Sequence, residues 1–435
     1  MHDRALSRAS WAVFVVFVLN GFSAASWAAR LPSVRDGLSL RPDQMGLLLL
    51  VGSVGSLLGL PMSGLVVQRL GARRTVVAFA LTNATGLSLV AVGVQLGSIL
   101  LVAGGLVLFG TGAGVWDAAM NLEGAAVEQQ LGRTVMPRYH AGFSLGTVIA
   151  AGIAAVVAGF GVPVVVHLPV AVALAFIGVL VSVRWFLPPE VERIAAERVP
   201  DASLALDPAI TPPRGARHAL AAWAEPRTLL IGVVVLAAGL TEGAANDWVS
   251  LAVVDGFDVS NAIGALGFGL FVTSMTATRL LGTSALDRFG RVAVLRTSAA
   301  FALVGLVIFG LAQPLWVALI GVLLWGAGAA LGFPVGMSAS ADDPVRAPLR
   351  LAVVSTIGYT AFLAGPPLLG LLAHHVGYRH ALLAITVPVL LGLLVVGAAA
   401  PLRPTVGDGR AGAPSGPADG RRAAPPRPGD DDARA

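Results

Sequence analysis

Acidic and amide side chains occur at helical spacing inside two long apolar segments of this chain. Asp117 and Asn121 lie four residues apart in one segment, and Glu242 and Asn246 repeat that spacing in another. Residues at positions i and i+4 share one face of a helix. An ionisable side chain at bilayer depth costs several kcal/mol, so it usually faces a helix-bundle interior or a wet cavity. Both pairs are therefore candidates for binding a polar solute or a proton.

Glu242 is the leading candidate for proton coupling, because it lies near the middle of its apolar segment. A carboxyl group held in a partly dry cavity can exchange protons near neutral pH. Asp117 is the second candidate for a substrate or proton site. For both residues the alternative is a structural contact between helices. Asp247 lies on another face, nearer the end of its segment, which favours a gate contact or helix pairing.

Other polar and aromatic residues of the apolar segments could line the same cavity. Arg279 could bind a substrate anion, pair with one of the carboxylates Asp117, Glu123 or Glu242, or extend towards the membrane surface. Glu123 itself favours a contact with a basic group near a helix end. The remaining candidates, for which packing is the alternative, are Asn20, Trp27, Arg30, Phe143, Trp248 and Tyr359.

The histidines offer weaker signals. His140 could relay protons, although an interfacial hydrogen bond is the simpler interpretation. His374, His375 and His380 cluster near one another, but no acidic or cysteine partner is close in sequence, so we expect no metal site.

Composition excludes several classes of protein and site. Hydrophobic residues make up 56% of the 435 residues and charged residues only 12%, and the mean hydropathy is +0.81. A soluble chain of this length would need far more charge on its surface. The chain has no cysteine, so thiolate chemistry is excluded. Because it also has no lysine, its Gly-rich stretches cannot be phosphate-binding loops of the Walker type. We expect a membrane protein that is not an enzyme and has no cofactor.

Twelve apolar segments are each long enough to cross the ~30 Å hydrocarbon core as a helix. We number these spans in chain order: 9–31, 43–68, 75–95, 98–128, 139–161, 163–186, 228–253, 262–285, 292–312, 315–339, 350–373 and 379–400. The Ala-rich end of the first span could instead be the cleavage site of a signal peptide. Cleavage would remove the partner of the seventh span in the repeat described below, so a span is favoured.

The arginines predict the topology. With an even number of spans both chain termini share one face, which we call the terminal face; the other is the opposite face. All but five of the 29 arginines fall on the terminal face; the exceptions are Arg30, Arg35, Arg41, Arg279 and Arg379. The positive-inside rule then makes the terminal face cytoplasmic. The net charge of +5 therefore indicates membrane topology, and we expect no nucleic-acid partner.

The chain repeats at an offset of about 220 residues. Gly64 to Gly71 matches 284–291, Trp27 matches Trp248, and Gly142-Phe143 matches Gly358-Tyr359. Two six-helix halves, 1–186 and 228–400, are predicted, with the substrate site between them near the midplane. A linker rich in Pro, Arg and Glu (187–227) joins the halves. The tail 401–435 has almost no apolar residues and is predicted to be disordered.

Two matching loops resemble the cytoplasmic loop signature of the Major Facilitator Superfamily, in which such loops latch conformational states. The first copy comprises Gly64, Gln68, Arg69, Gly71 and Arg73, and the second comprises Asp287, Arg288, Gly290 and Arg291. The first copy has Gln68 where the family usually has Asp, which puts a charge-based latch in the first half in doubt. This family implies the fold: twelve transmembrane helices in two pseudo-symmetric six-helix bundles.

Five further motifs resemble the YbjJ-like bacterial branch of this superfamily, which is related to fucose permeases. They are Trp27-Ala-Ala-Arg30-Leu-Pro32, Asp117-Ala-Ala-Met-Asn121, Pro137-Arg-Tyr-His140-Ala-Gly-Phe143, Glu242-Gly-Ala-Ala-Asn-Asp247-Trp248 and Gly358-Tyr359 with Phe362 and Gly365-Pro366-Pro367. The resemblance implies secondary transport by rocking of the halves in a bacterial inner membrane, with a monomer as the superfamily default.

Together these features predict a secondary transporter of a small polar solute, such as a sugar, coupled to protons and working in either direction. Proton-driven efflux of drugs or lipophilic metabolites is the alternative. Drug antiporters of this superfamily commonly carry a Gly-Pro pair in the fifth span, and this chain has none there. A membrane receptor is a remote alternative, because neither the linker nor the tail looks like a folded output domain.

Overall fold

The computed structural model describes residues 2–133, 135–187, 222–343 and 346–401. In this part eleven helices are long and apolar enough to cross a membrane. One of them, Pro42–Gln95, has 54 residues and can cross twice at 1.5 Å per residue. The twelve predicted spans are therefore confirmed. The predicted tail beyond 401 and most of the 187–227 linker lie outside the described residues.

Most of the main helices begin and end within a few residues of the predicted spans; the first begins earlier, at His2. Short 3₁₀ turns occupy Val183–Trp185, Ala222–Ala224, Leu383–Ile385 and Val396–Ala399. In chain order the α-helices are His2–Ala28, Leu31–Leu38, Pro42–Gln95, Ile99–Leu131, Met136–Gly159, Val164–Ser182, Pro226–Phe257, Asn261–Phe289, Arg291–Leu311, Leu315–Ala329, Gly332–Ser340, Ala347–Val376, Tyr378–Leu382 and Thr386–Val395.

Two boundaries differ from the prediction. The second and third spans, expected as separate helices, form one helix interrupted only at Gly71, whose backbone has φ 77° and ψ 157°. The tenth span, expected to be continuous, is broken after Ala329 and resumes at Gly332. The break leaves the Ala330 carbonyl outside the regular helical hydrogen-bond ladder, which matters for the site described below.

The backbone reproduces the sequence repeat. Gly290, between the eighth and ninth spans, has φ 74° and ψ 160°, almost the values at Gly71. Only glycine adopts this backbone region readily, so both copies of the loop motif need glycine at this position. Close helix packing repeats as well: Gly86 lies against Gly105 in the first half, and Gly305 lies against Gly321 in the second. Small residues let membrane helices approach in this way.

The two halves pack together near the opposite face. A Cβ added at Gly46 of the second span would lie within 2.5 Å of the Pro366 carbonyl of the eleventh span. At the ends of the fifth and eighth spans, Gly159 lies against Ala262. Within the described residues, every hydrogen bond or ion pair between the halves also lies near this face. The described residues therefore close the protein at the opposite face and leave the gap between the halves open at the terminal face.

Ion pairs at the terminal face tie the second half together. Arg227 and Arg291 each lie 2.8 Å from a different oxygen of Asp342. Glu225 lies 2.6 Å from Arg350 and 3.0 Å from Arg346. Burial acts to raise the pKa of Glu225, but the hydrogen bonds and charge of its partners outweigh burial and lower that pKa below its usual range.

Candidate functional site

The first half presents Asp117 and Asn121 on one face of the fourth span. The Asn121 side-chain amide donates to the backbone carbonyl of Asp117 at 2.8 Å, as expected for residues one turn apart. The Asp117 side chain is exposed. It has an electrostatic interaction with Tyr359 of the eleventh span, which is itself 43% exposed. Asp117 therefore faces the gap between the two halves.

The second half presents an ion pair in the same region. The Arg279 guanidinium on the eighth span lies 2.8 Å from the Glu242 carboxylate on the seventh. The Arg279 Nε also donates to the Ala330 carbonyl at 3.0 Å, at the break in the tenth span. Three spans thus hold the guanidinium in place. Of the interactions considered for Arg279, the structure shows the one with Glu242.

The ion pair also lies close to the first half. His140, exposed at the start of the fifth span, has an electrostatic interaction with Arg279. The His140 ring packs edge-on against Phe17 at 5.2 Å between centroids. Asp117, His140, Tyr359 and the Glu242–Arg279 pair therefore line one cleft that is open towards the terminal face.

The two leading carboxylates differ in their contacts. Glu242 is held by Arg279, so a proton arriving at Glu242 must displace a charge-assisted hydrogen bond. The Asp117 carboxylate has no hydrogen-bond or ion-pair partner among the described residues. A proton can bind to Asp117 without breaking any contact there.

Asn246 and Asp247 are half-buried one turn beyond Glu242. Neither side chain has a hydrogen-bond partner within the described ranges. Asp247 also forms no ion pair there, so the structure does not show the expected gate contact or helix pairing at Asp247 in this conformation.

Several other candidates are packing residues in this structure. Trp27 is 7% exposed and lies 6.2 Å from the Phe109 ring. Trp248 is 1% exposed and lies 5.6 Å from the Tyr378 ring. Asn20 is buried. Phe143 packs against the core around Phe17. Gly21, next to Asn20 in the chain, lies against the Phe143 backbone.

Two charged candidates lie outside the cleft. Arg30 lies near the opposite face, where its Nη2 donates to the Val162 carbonyl at 2.7 Å. Glu123 is fully buried, and its Oε1 accepts a hydrogen bond from the Leu187 backbone amide at 2.7 Å. Glu123 thus contacts the chain just after the sixth span.

The loop motifs do not join the halves in this conformation. Gln68, Arg69 and Arg73 are exposed, and these two arginines form no ion pair with any described residue. In the second copy, Arg291 pairs with Asp342, which belongs to the same half. Asp287 and Arg288 are exposed.

A polar cluster that the sequence reasoning missed closes the opposite face. Arg35, on the short helix Leu31–Leu38, pairs with Asp255 at the end of the seventh span. Asp36, the next residue, accepts a hydrogen bond from the Asn261 amide of the eighth span at 3.1 Å. The available signal was the concentration of charges between the first two spans, although sequence alone did not identify their partners. We call Arg35, Asp36, Asp255 and Asn261 the closing cluster.

A second contact supports this closure. His374 of the eleventh span lies 3.7 Å from Asp43 of the second. No group of three metal-ligating side chains is brought together anywhere in the described ranges, the three clustered histidines included.

Comparisons with known proteins agree with this architecture. The family model described as Major Facilitator Superfamily matches residues 13–283 and 231–425. An uncharacterized transporter, y4wD, of Sinorhizobium fredii is 31% identical over 386 residues, covering 86% of this chain and 96% of that relative. The crystal structure of the nucleoside transporter NupG superposes with a TM-score of 0.71 at 15% identity, covering 90% of this chain and 98% of that one. A D-xylose-proton symporter gives a TM-score of 0.68 at 14% identity, covering 90% and 96%.

Proposed function

This chain belongs to the Major Facilitator Superfamily, and we propose that it moves a small polar solute across the bacterial cytoplasmic membrane by proton-coupled alternating access. It is a multi-pass membrane transporter. With the terminal face on the cytoplasmic side, as the arginines predict, the present conformation is inward-facing. A second conformation, closed at the terminal face, would complete the transport cycle.

One observation carries the proposal of a polar solute. Both halves place polar groups in the cleft: Asp117 and Tyr359 on either side of one part, and His140 opposite the Glu242–Arg279 pair in another. Hydroxyl-rich solutes need several donors and acceptors at fixed positions, whereas lipophilic drugs favour apolar walls around one acid. The names of two structural neighbours, a nucleoside transporter and a D-xylose-proton symporter, are in keeping with a polar solute.

Asp117 is the proposed proton-accepting group. Protonation of Asp117 removes a charge from the cleft without breaking a contact, which lowers the cost of closing the cleft around the carboxyl group. Glu242, the leading sequence candidate, has a different proposed role. Its ion pair with Arg279 holds the guanidinium beside the Ala330 carbonyl. In that position the Glu242 carboxylate and the Arg279 guanidinium can both hydrogen-bond a solute.

Solute-driven proton movement in proteoliposomes tests this proposal. Nucleosides, pentoses, deoxyhexoses and cationic drugs are added in turn, and internal pH is followed with a trapped dye. Asp117→Asn should accumulate no solute and move no protons, while still exchanging labelled solute across the membrane. Glu242→Gln should bind solute more weakly. Asp258→Asn is the matched control, because Asp258 is an exposed carboxylate outside the cleft that forms no ion pair with any described residue.

The outcomes separate the parts of the proposal. If Asp117→Asn couples as well as wild type while Glu242→Gln does not, the order of the two carboxylates is reversed. Proton movement with cationic drugs alone would establish efflux and overturn the polar-solute assignment. Solute equilibration without proton movement in wild type would show a uniporter or another coupling ion.

A further inference from the structure

An arginine is stacked on an exposed tryptophan where the first and fifth spans reach the terminal face. The Arg138 guanidinium, one residue before the fifth span, lies 4.1 Å from the centre of the Trp11 ring and 5.5 Å from the centre of the Phe14 ring. The Phe14 ring in turn lies against Gly142, one turn further along the fifth span. Trp11 is 53% exposed, and Arg138 is exposed as well. The stacked pair is therefore held by two spans while its polar edge stays accessible.

Helical geometry places this pair on the outer side of the first half. With 3.6 residues per turn, the side chains of Arg138 and His140 point about 160° apart around the fifth span. His140 faces the cleft, so Arg138 faces away from the cleft. Leu145 and Ile149 point within about 20° of Arg138, and both are exposed. The helix face that begins with Arg138 thus continues into the membrane as an apolar surface.

The first helix, His2–Ala28, carries a matching stripe. Exposed residues recur there at positions i, i+4, i+7 and i+11, a spacing that keeps them on one helix face: Arg4, Arg8, Trp11 and Val15. Arg8 lies about 10 Å before Val15 along the helix axis, at 1.5 Å per residue. The stripe therefore changes from charged to aromatic to aliphatic as the helix enters the membrane.

The arginines of this surface have no acidic partner. Arg4, Arg8 and Arg138 form no ion pair with any described residue. The Glu128 carboxylate, ten residues before Arg138, accepts instead from two backbone amides at the start of the fifth helix, at 2.6 and 2.7 Å.

Arginines also outnumber acidic residues at this end of the first half, where the acidic residues are Asp3, Glu123 and Glu128. Of these, Glu123 is fully buried. The surface around Trp11 is therefore positively charged and accessible from the membrane interface.

We propose that this surface binds the headgroup of an anionic phospholipid. We call Arg4, Arg8, Trp11 and Arg138 the headgroup site. Guanidinium groups form charge-assisted hydrogen bonds with phosphate oxygens. Stacking on the face of Trp11 orients the Arg138 guanidinium and leaves its N–H groups at the edge available to donate. Tryptophan is itself typical of the membrane interface, at the depth of the headgroups.

The apolar residues below the arginines favour a lipid over a soluble phosphate. Val15, Leu145 and Ile149 lie on the same side, deeper in the membrane, where acyl chains can pack against them. Basic surfaces next to the cytoplasmic ends of transmembrane helices attract anionic lipids, and the arginines predict that the terminal face is cytoplasmic. The headgroup site belongs to the first half alone, and it does not depend on the solute or the coupling ion proposed for the cleft.

Lipid binding to the full chain in detergent, measured by native mass spectrometry, tests this proposal. Phosphatidylglycerol and phosphatidylcholine with identical acyl chains are titrated separately, and the dissociation constant of each bound lipid is measured. Wild type should bind at least one phosphatidylglycerol more tightly than phosphatidylcholine. Each arginine near the membrane surface should contribute about fivefold to that preference.

Variants link the preference to the headgroup site. Arg138→Gln should weaken the tightest phosphatidylglycerol binding by about fivefold and leave phosphatidylcholine binding unchanged. Combining it with Arg4→Gln and Arg8→Gln should weaken binding by about 100-fold. Trp11→Leu keeps an apolar side chain but removes the cation–π contact, so it should weaken binding by about two- to fivefold.

Arg296→Gln is the matched control. Arg296 is exposed near the terminal end of the ninth span, in the second half, and it has no ion pair or aromatic contact among the described residues. This variant should bind phosphatidylglycerol like wild type.

Three results would overturn the proposal. The first is equal affinity of wild type for the two lipids. The second is an equal loss of affinity in Arg138→Gln and Arg296→Gln, which would show an effect of general surface charge. The third is complete displacement of phosphatidylglycerol by inorganic phosphate at the same concentration, which would show a site for free phosphate.

Discussion

Asp255→Asn should shift the protein towards the conformation that is open at the opposite face. Asp255 is the partner of Arg35 in the closing cluster, and the two residues belong to different halves. The substitution keeps the size of the side chain but removes its charge. The closed conformation loses the ion pair, whereas the conformation open at this face, in which the halves separate, should have little of this contact to lose.

The size of the shift follows from the exposure of the pair. The Arg35 side chain is 12% exposed and that of Asp255 is 40% exposed, so solvent screens the pair substantially. Screened pairs of this kind contribute up to about 1 kcal/mol. Since 1.36 kcal/mol corresponds to a tenfold change in an equilibrium constant, the open population should rise about fivefold.

Distances between two spin labels measure that population. The chain contains no cysteine, so labels can be attached at Leu100→Cys and Trp316→Cys without removing native thiols. Both residues are highly exposed and lie near the opposite face, one in each half. Pulsed electron resonance should show a longer distance that gains population in Asp255→Asn. Arg35→Gln combined with Asp255→Asn should add little, because either change alone removes the same pair.

Asp258→Asn serves as the control, because Asp258 is exposed near the same face and forms no ion pair with any described residue. An unchanged distance distribution in Asp255→Asn would refute the assignment of the closing cluster. An equal shift in Asp258→Asn would show that the effect comes from general surface charge.

Three further predictions follow from contacts away from the cleft. Gly46→Leu should also open the opposite face, because the new side chain would meet the Pro366 carbonyl. The same spin labels measure this opening. An unchanged distance distribution would show that the second and eleventh spans can separate without opening this face. Arg379→Leu should destabilise the fold by about 3 kcal/mol or more, because it removes a buried guanidinium that donates to the backbone at the end of the ninth span. The unfolding midpoint should therefore fall, and a midpoint within a degree of wild type would contradict this. The lowered pKa of Glu225 means that its ion pair with Arg350 adds stability above the ordinary carboxyl pKa and loses it as pH falls through the lower, folded-state value. Midpoints measured from neutral to acidic pH should therefore fall less steeply in Glu225→Gln, and parallel curves would contradict the assignment.

The cleft was only partly predictable from the sequence. The spacing of Asp117 and Asn121 placed both on one face of the fourth span, and the structure confirms that geometry. The role proposed for Glu242 changed because the structure pairs it with Arg279, 37 residues further along the chain. From the sequence, Arg279 could bind a substrate anion, pair with any of three carboxylates, or extend towards the membrane surface. Sequence alone likewise could not show that Arg30 lies outside the cleft. Its depth along the first span was evident, but the Val162 carbonyl that holds it follows the fifth span.

The sequence by itself determined that this chain crosses a membrane in twelve spans arranged as two repeats. Hydropathy and the spacing of glycines and arginines can be read from short or repeating stretches of sequence. The lipid bilayer allows few backbone structures to span it, so these patterns are enough to predict the spans and their orientation. Only the tertiary structure decided which face is closed and which charges pair. These depend on contacts between spans that are distant in sequence. Arg35 and Asp255, for example, are separated by 220 residues, and their pairing requires the two halves to meet at the opposite face.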